Sequence, residues 1–199
     1  MLYIIFYKLF CGGFMVYLFL ANGFEEIEAL CPLDLLRRAG VEVTTVGIGS
    51  EVIRGSHGIT VHADIPDIMY RDSAPDMIIL PGGMPGAKNL DESKTVDIAI
   101  KAASRRGAYI AAICAAPFVL GRRGLLDGKN ATCFPGFEGE LTGANIITDS
   151  GVVLDGNIIT ARGMGVAQKF GLTLISLLCG EETARNIEKS IQTEPYTNE

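Results

Sequence analysis

A cysteine lies at a predicted strand-to-helix corner within residues 109–126, YIAAICAAPFVLGRRGLL. Small and apolar residues lead into Cys114, and Pro117 then opens an apolar-periodic run that is typical of a helix. Proline is favoured in the first helical turn because its missing N–H would have had no partner there. The unpaired N–H groups and the positive dipole end of a helix favour an anion such as a thiolate. The pattern therefore predicts a reactive cysteine at position 114.

The helix dipole is expected to lower the pKa of the Cys114 thiol by a definite amount. Stabilisation of an anion by up to ~2 kcal/mol lowers a pKa by roughly 1.5. A thiol whose pKa is ordinarily about 8.5 would then titrate near about 7. We therefore expect Cys114 to be partly ionised at neutral pH.

Three acidic residues, Glu25, Glu26 and Glu28, follow the first predicted strand. Acidic residues in the first turn complement a helix dipole, and this role alone accounts for Glu25 and Glu26. Glu28 is expected to face inward with its apolar neighbours, so that its carboxyl reaches the site. Because a carboxylate and a thiolate repel each other, we expect Glu28 and Cys114 to share one proton and to titrate as a unit.

A glycine-rich segment, LPGGMPGAKNL, follows another buried strand. It lacks the spacing of a P-loop or of a dinucleotide-binding turn, so it gives little support to phosphate binding. Tight turns alone account for its glycines. In the functional alternative, the N–H groups of Gly82 and Gly83 face Cys114 and form an oxyanion hole with the N–H of Ala115. Both interpretations are open from the sequence.

The elements that must position these residues alternate between short apolar strands and helical stretches. Strands are predicted over 16–21, 41–48, 76–83 and 109–114, and helices over 25–40, 93–107, 166–180 and 182–191. Residues 52–64 predict an edge ribbon, and residues 145–163 a hairpin-like excursion. The alternation indicates an α/β fold with a largely parallel sheet. Ligands bind outside the carboxyl ends of such strands, where the acidic, glycine-rich and cysteine segments all fall.

Composition narrows the classes of function. The 199 residues predict one domain; the net charge is −6 and the pI about 5.0. The chain has no Lys/Arg stripe, so we expect no nucleic-acid partner. Five widely spaced cysteines without a C-x-x-C pair favour reduced thiols in a cytoplasmic protein. Two histidines, neither near a cysteine in sequence, give little support to a zinc site, and we expect no metal and no cofactor.

The first 23 residues are apolar for about the length of a membrane span. Gly12 and Gly13 interrupt the run, and no small-residue cleavage site follows. We therefore expect no membrane association and favour Met15 as the native start. In this interpretation residues 1–14 are a miscalled extension, residues 15–193 form the domain, and residues 194–199 are a flexible tail.

Four segments resemble the DJ-1/PfpI (ThiJ) superfamily, in particular its DJ-1 and YajL-like branch. They are ANGFEEIEALCPLDLLRRAG (21–40), DMIILPGGMPGAKNL (76–90), YIAAICAAPFVLGRRGLLDGKNATCFPG (109–136) and ITARGMGVAQKFGL (159–172). The resemblance extends from about Met15 to the last predicted helix. It implies a flavodoxin-like, three-layer α/β sandwich and a homodimer. It also implies a nucleophile at Cys114 on an elbow, a partner acid at Glu28, and backbone donors at Gly83 and Ala115.

The chain departs from the family pattern at two positions beside the nucleophile. The protease branch has a histidine where this chain has Ala115, so proteolysis is not expected, because a general acid for an amine leaving group is missing. The DJ-1 branch often has a histidine where this chain has Phe134, beside Cys133. A strict Cys-His-Glu triad is therefore absent.

Two further residues are possible supports for the site. His57 occupies a loop where relatives place an arginine near the other subunit's site, although we favour the interpretation as a solvated ribbon histidine. Arg162 is interpreted either as a brace for the site or dimer, or as one half of a surface salt bridge. Cys31 and Cys179 are expected to pack in the core, with Cys31 near the dimer face.

Together the residues and the resemblance imply a glutathione-independent glyoxalase or deglycase. Its substrates would be small reactive aldehydes such as methylglyoxal, or their adducts on glycated molecules. The alternative is a redox sensor or chaperone that uses the same cysteine without turnover, since an accessible, ionised thiol is also where oxidation occurs.

Overall fold

A seven-stranded sheet forms the centre of the structure, a computed structural model that describes residues 11, 13–71 and 74–193. The described strands are β1 Met15–Leu20, β2 Glu42–Gly47, β3 Val52–Arg54, β4 Thr60–His62, β5 Ile65–Pro66, β6 Met77–Leu80, β7 Tyr109–Ile113, β8 Asn130–Ala131, β9 Asn145–Ile146, β10 Val152–Asp155 and β11 Ile158–Ala161. The strand order in the sheet is β10-β11-β7-β6-β1-β2-β5, and all neighbouring pairs are parallel except β10 with β11. Two small pairs, β3–β4 and β8–β9, lie outside this sheet.

Helices cover both faces of the sheet and complete a three-layer α/β sandwich. The described α-helices are α1 Glu26–Arg38, α2 Gly86–Glu92, α3 Lys94–Arg106, α4 Pro117–Gly121, α5 Ala167–Cys179 and α6 Glu181–Ser190. One apolar core lies between the sheet and helices α1, α5 and α6, and a second lies between the sheet and α2, α3 and α4. The predicted flavodoxin-like architecture is confirmed.

The predicted elements agree with the structure within a few residues. The ribbon at 52–64 is the antiparallel β3–β4 pair, and the excursion at 145–163 contains the antiparallel β10–β11 pair with Gly156 at its turn. One helix was missed, because α2 begins with Gly86 inside the glycine-rich segment. The predicted helix after the cysteine is short, since α4 contains five residues.

The central strands bring three chain segments to one edge of the sheet. The segments after β1, β6 and β7 all leave from the carboxyl ends of adjacent parallel strands. This edge is where an open α/β sheet binds ligands. The acidic start of α1, the glycine-rich turn and Cys114 are therefore neighbours because of the strand order.

The expectation of reduced cysteines is wrong for one pair, since Cys11 and Cys179 form a disulfide. They are 168 residues apart in sequence, so only the packing of the segment before β1 against the end of α5 brings them together. Cys31, Cys114 and Cys133 are free thiols.

The predictions for the two ends fall mainly outside the described residues. The terminal residues outside the described part are 1–10 and 12 of the expected extension and 194–199 of the expected tail. Within the part of the chain that is described, no helix is both long and apolar enough to cross a membrane.

Candidate active site

Cys114 lies at a sharp turn between β7 and α4. Its φ of 66° is in the left-handed region, which a residue with a side chain rarely adopts. Two backbone hydrogen bonds hold this conformation: the Cys114 N–H donates to Ala161 O at 2.8 Å, and its carbonyl accepts from Phe134 N–H at 2.8 Å. Strained backbone of this kind costs of order 1–3 kcal/mol and persists where surrounding contacts fix it. Such an elbow presents a nucleophilic side chain at the top of a sheet.

Glu28 lies opposite this elbow, on the first turn of α1. Its residue is 1% exposed, so the predicted inward orientation is confirmed. The carboxyl is hydrogen-bonded to the Cys114 thiol, and it also accepts from the N–H of Gly82 at 3.1 Å and from the N–H of Met164. The helix start places Glu28 here, because Glu25 caps it by accepting from the Glu28 N–H at 2.7 Å.

Burial raises the pKa of both members of this pair. Desolvation raises the pKa of Glu28 to about 7, with the nearby charge of Glu25 adding to the effect. Desolvation, followed by the charge and hydrogen bond of Glu28, raises the pKa of the Cys114 thiol to about 12. Since each anion disfavours the other, the two groups hold one proton between them above neutral pH.

The sequence-based expectation that the helix dipole lowers the Cys114 pKa is therefore wrong in direction. Helix α4 has only five residues, so few aligned peptide dipoles face the sulfur. The N–H groups of Gly83 and Ala115 do donate to the sulfur and lower its pKa, but burial and Glu28 outweigh them. With its pKa raised, the thiol has the neighbouring Glu28 carboxylate, rather than water, as its nearest proton acceptor.

The three predicted oxyanion donors divide into two roles. The N–H groups of Gly83 and Ala115 point to the sulfur, as predicted. The N–H of Gly82 instead binds the Glu28 carboxylate, so it is not a free donor for an oxyanion. A Cβ at Gly82 would lie 2.6 Å from Cys114 Cβ, which explains why only glycine fits between the nucleophile and its acid.

His57 lies at the turn of the β3–β4 ribbon and is bound to α1. Its side chain is 71% exposed, and its Nδ1 lies 2.9 Å from the Glu26 carboxylate, which raises the His57 pKa. Burial of Glu26 acts to raise the pKa of its carboxyl, but the hydrogen bonds from His57 and from backbone N–H groups outweigh it, so the Glu26 pKa is lowered. The buried Glu26 also accepts from the N–H groups of His57 and Ile59. Glu26 thus fastens the ribbon to the helix start, a role that the dipole argument missed.

Glu25, Glu26 and His57 bring three potential metal ligands within 4.8 Å of one another. The hydrogen bonds described above already use the Glu26 oxygens and one His57 nitrogen. We therefore assign these three residues to the attachment of the ribbon.

The other predicted site residues, Arg162, Cys133 and Phe134, each have different surroundings. Arg162 donates to Thr148 O at 2.8 Å and holds the neighbouring loop. Cys133 is buried, and desolvation raises its pKa to about 11. Phe134 is 48% exposed beside the site. Met164, which binds Glu28 through its N–H, was missed, since a backbone donor leaves no signal in its residue type.

The sequence of this chain is similar to those of known proteins. A family model described as the DJ-1/PfpI family matches residues 15–177. Protein DJ-1 homolog B of Arabidopsis thaliana is 38% identical over 177 residues, which are 88% of this chain and 40% of that protein. The chain therefore spans well under half of this relative. The glutathione-independent glyoxalase DJR-1.2 of Caenorhabditis elegans is 32% identical over 84% of this chain and 89% of its own length.

Solved structures agree with these relatives. The structure described as Toxoplasma gondii DJ-1, oxidized, superposes with a TM-score of 0.86 at 35% identity, covering 90% of this chain and 98% of that one. Drosophila melanogaster DJ-1beta superposes with a TM-score of 0.88 at 34% identity, covering 92% and 99%.

The proton shared by Cys114 and Glu28 predicts a specific change in alkylation. In the unsubstituted protein, the rate of Cys114 alkylation by iodoacetamide should rise through pH 7, where Glu28 begins to accept the thiol proton. In Glu28→Gln this step should vanish, and the thiol's own midpoint should fall below about 12, because the charge that raises its pKa is gone. Peptide mapping by mass spectrometry between about pH 5 and pH 12 measures both effects.

The exposed Glu42→Gln on β2 is the matched control, and its profile should equal that of the unsubstituted protein. Identical profiles for all three proteins would show that Glu28 and Cys114 titrate independently.

Proposed function

The chain belongs to the DJ-1/PfpI family, and from this premise we propose that it is a cysteine-dependent, glutathione-independent glyoxalase. It converts 2-oxoaldehydes such as methylglyoxal to 2-hydroxy acids. The observation that carries the proposal is the buried Cys114–Glu28 hydrogen bond with two backbone N–H groups directed at the sulfur. The similarity to a glutathione-independent glyoxalase of Caenorhabditis elegans supports it.

The reaction begins with the shared proton. Glu28 accepts the thiol proton, and the Cys114 sulfur adds to the aldehyde carbon, whose oxygen gains the electron pair. The N–H groups of Gly83 and Ala115 are placed to stabilise this oxyanion. The oxyanion then takes a proton from Glu28, which leaves a hemithioacetal on Cys114 and a carboxylate on Glu28.

Glu28 then transfers a proton within the bound intermediate. Its carboxylate removes the hydrogen on the former aldehyde carbon, giving an enediolate, and returns the proton to the neighbouring carbon. The hydroxyl proton on the first carbon moves to the oxygen of the neighbouring carbon, which converts the hemithioacetal to the thioester of a 2-hydroxy acid. Water cleaves the thioester, releases the acid and restores the thiol. The aldehyde is oxidised and the adjacent ketone is reduced, so the reaction consumes only water.

A Glu28 pKa near neutrality suits these steps, since one group must act in turn as base and acid. A carboxyl with an ordinary pKa would be a weak base for a C–H bond. Burial and the neighbouring charge of Glu25 supply the increase. The same chemistry on a hemithioacetal or aminocarbinol adduct would give deglycation.

We expect Cys114→Ala and Glu28→Ala to lower the formation of lactate from methylglyoxal by about 100-fold or more, because the nucleophile or its proton carrier is missing. Chromatographic detection of lactate is the readout, since methylglyoxal also disappears by reacting with protein amines. Cys31→Ala removes a thiol outside the site and should retain activity. Full lactate formation by Cys114→Ala would overturn the mechanism.

A redox role is the second candidate, since one structural relative is described as oxidized. The Gly83 and Ala115 N–H groups and a protonated Glu28 would bind the oxygens of a sulfinate on Cys114. We expect mild peroxide to add two oxygen atoms at Cys114 before it modifies Cys31 or Cys133. Mass spectrometry of the peptides shows which cysteine is oxidised first. Oxidation of Cys31 or Cys133 before Cys114 would contradict a sensing role.

We further propose that the protein is a homodimer joined through the exposed face of α1. Ile27 is 47% exposed and Met164 54% exposed, and both line one shallow depression with Cys31. Neighbouring exposed apolar side chains of this size favour burial against a partner. Ile27 also lies between Glu26 and Glu28, so this interface would adjoin the active site.

Ile27→Asp should therefore convert the dimer to a monomer, because it places a charge in an apolar contact that two-fold symmetry repeats. Multi-angle light scattering after gel filtration measures the mass. Ile98→Asp is the matched control, since Ile98 is 54% exposed on α3 at the opposite face of the sheet. An unchanged dimer mass for Ile27→Asp would place the interface elsewhere.

A further inference from the structure

Phe134 is fixed beside the nucleophile by the backbone. Its N–H donates to the carbonyl oxygen of Cys114 at 2.8 Å, so the two residues are neighbours across the elbow. Nevertheless its side chain is 48% exposed, which is a high value for a phenyl ring at the carboxyl edge of the sheet. The ring is therefore available to a molecule that reaches Cys114.

The Phe134 ring and the Glu28 carboxyl both lie against Gly163. A Cβ built on Gly163 would lie 3.3 Å from Cδ2 of Phe134, closer than side chains normally pack, and 3.7 Å from Oε1 of Glu28. The absence of a side chain at Gly163 therefore allows the ring to lie close to the catalytic acid.

A substrate held by this pair would lie near the Phe134 ring. The aldehyde carbon must meet the Cys114 sulfur, and the adjacent carbon must be within reach of the Glu28 carboxyl. Because the ring neighbours both residues, the group attached to that second carbon can contact it. Apolar groups gain by leaving water at such a surface, and an aromatic ring gains further by packing on a phenyl face or edge.

We propose that Phe134 is a specificity-determining residue that selects 2-oxoaldehydes with an aryl or branched alkyl substituent over methylglyoxal and glyoxal. This inference rests on the proposed glyoxalase function. It gives the substrate class as arylglyoxals and bulky alkylglyoxals. A polar side chain at position 134 would offer such a substituent no apolar surface.

The test compares kcat/KM for glyoxal, methylglyoxal and phenylglyoxal, with the 2-hydroxy acid product as the readout. The ratio of kcat/KM for phenylglyoxal to that for glyoxal should fall by about tenfold or more in Phe134→Ala. Phe134→His should lower the ratio less, since it keeps a planar ring. Leu154→Ala, which removes a side chain 47% exposed on β10, is the matched control and should leave the ratio unchanged.

A second measurement separates this inference from the proposed function. Alkylation of Cys114 by N-benzyl-iodoacetamide and by iodoacetamide needs no turnover, and the benzyl reagent should lose its relative advantage in Phe134→Ala. If no 2-oxoaldehyde is converted but the benzyl preference depends on Phe134, the glyoxalase proposal fails and the role of the ring stands. If the preference for the phenyl or benzyl group is the same with and without the Phe134 ring, the inference is overturned.

Discussion

The Glu28 carboxyl is packed against the Cys114 sulfur in a part of the protein where neither anion is well solvated. Charge placed on either group raises the pKa of the other, so the pair holds a single mobile proton above neutral pH. The surrounding structure serves this arrangement. The N–H groups of Gly82 and Met164 stabilise the carboxylate, those of Gly83 and Ala115 stabilise the sulfur, and the negative charge has two alternative locations.

Such a pair requires rigid support, because a displaced donor would leave a buried charge without compensation. The elbow supplies it by fixing Cys114 at a positive φ between hydrogen bonds to Ala161 and Phe134. The capped start of α1 supplies it for Glu28 through the Glu25 side chain. The β3–β4 ribbon is fastened to the same helix start by Glu26, so the acid, its cap and the ribbon form one connected unit.

The surroundings of the pair are more apolar than its chemistry requires. Ile27 and Met164 are exposed on one side, and the Phe134 ring lies on another, against Gly163. In our proposals the first side is covered by a second copy of the chain and the second contacts the substituent of the substrate. Met164 connects the first side to the site, since its N–H binds Glu28 while its side chain is exposed.

The sequence by itself determined the α/β alternation, the elbow at Cys114 and the inward orientation of Glu28, because apolar periodicity, proline and helix-start residues act locally. Only the tertiary structure decided what depends on distant contacts. The Cys114 pKa is raised because of burial and of Glu28, and the five-residue helix that the local pattern emphasised does not determine the direction of the shift. The Gly82 N–H donates to Glu28, and Cys11 is bonded to Cys179, because strand order and helix packing bring these residues together.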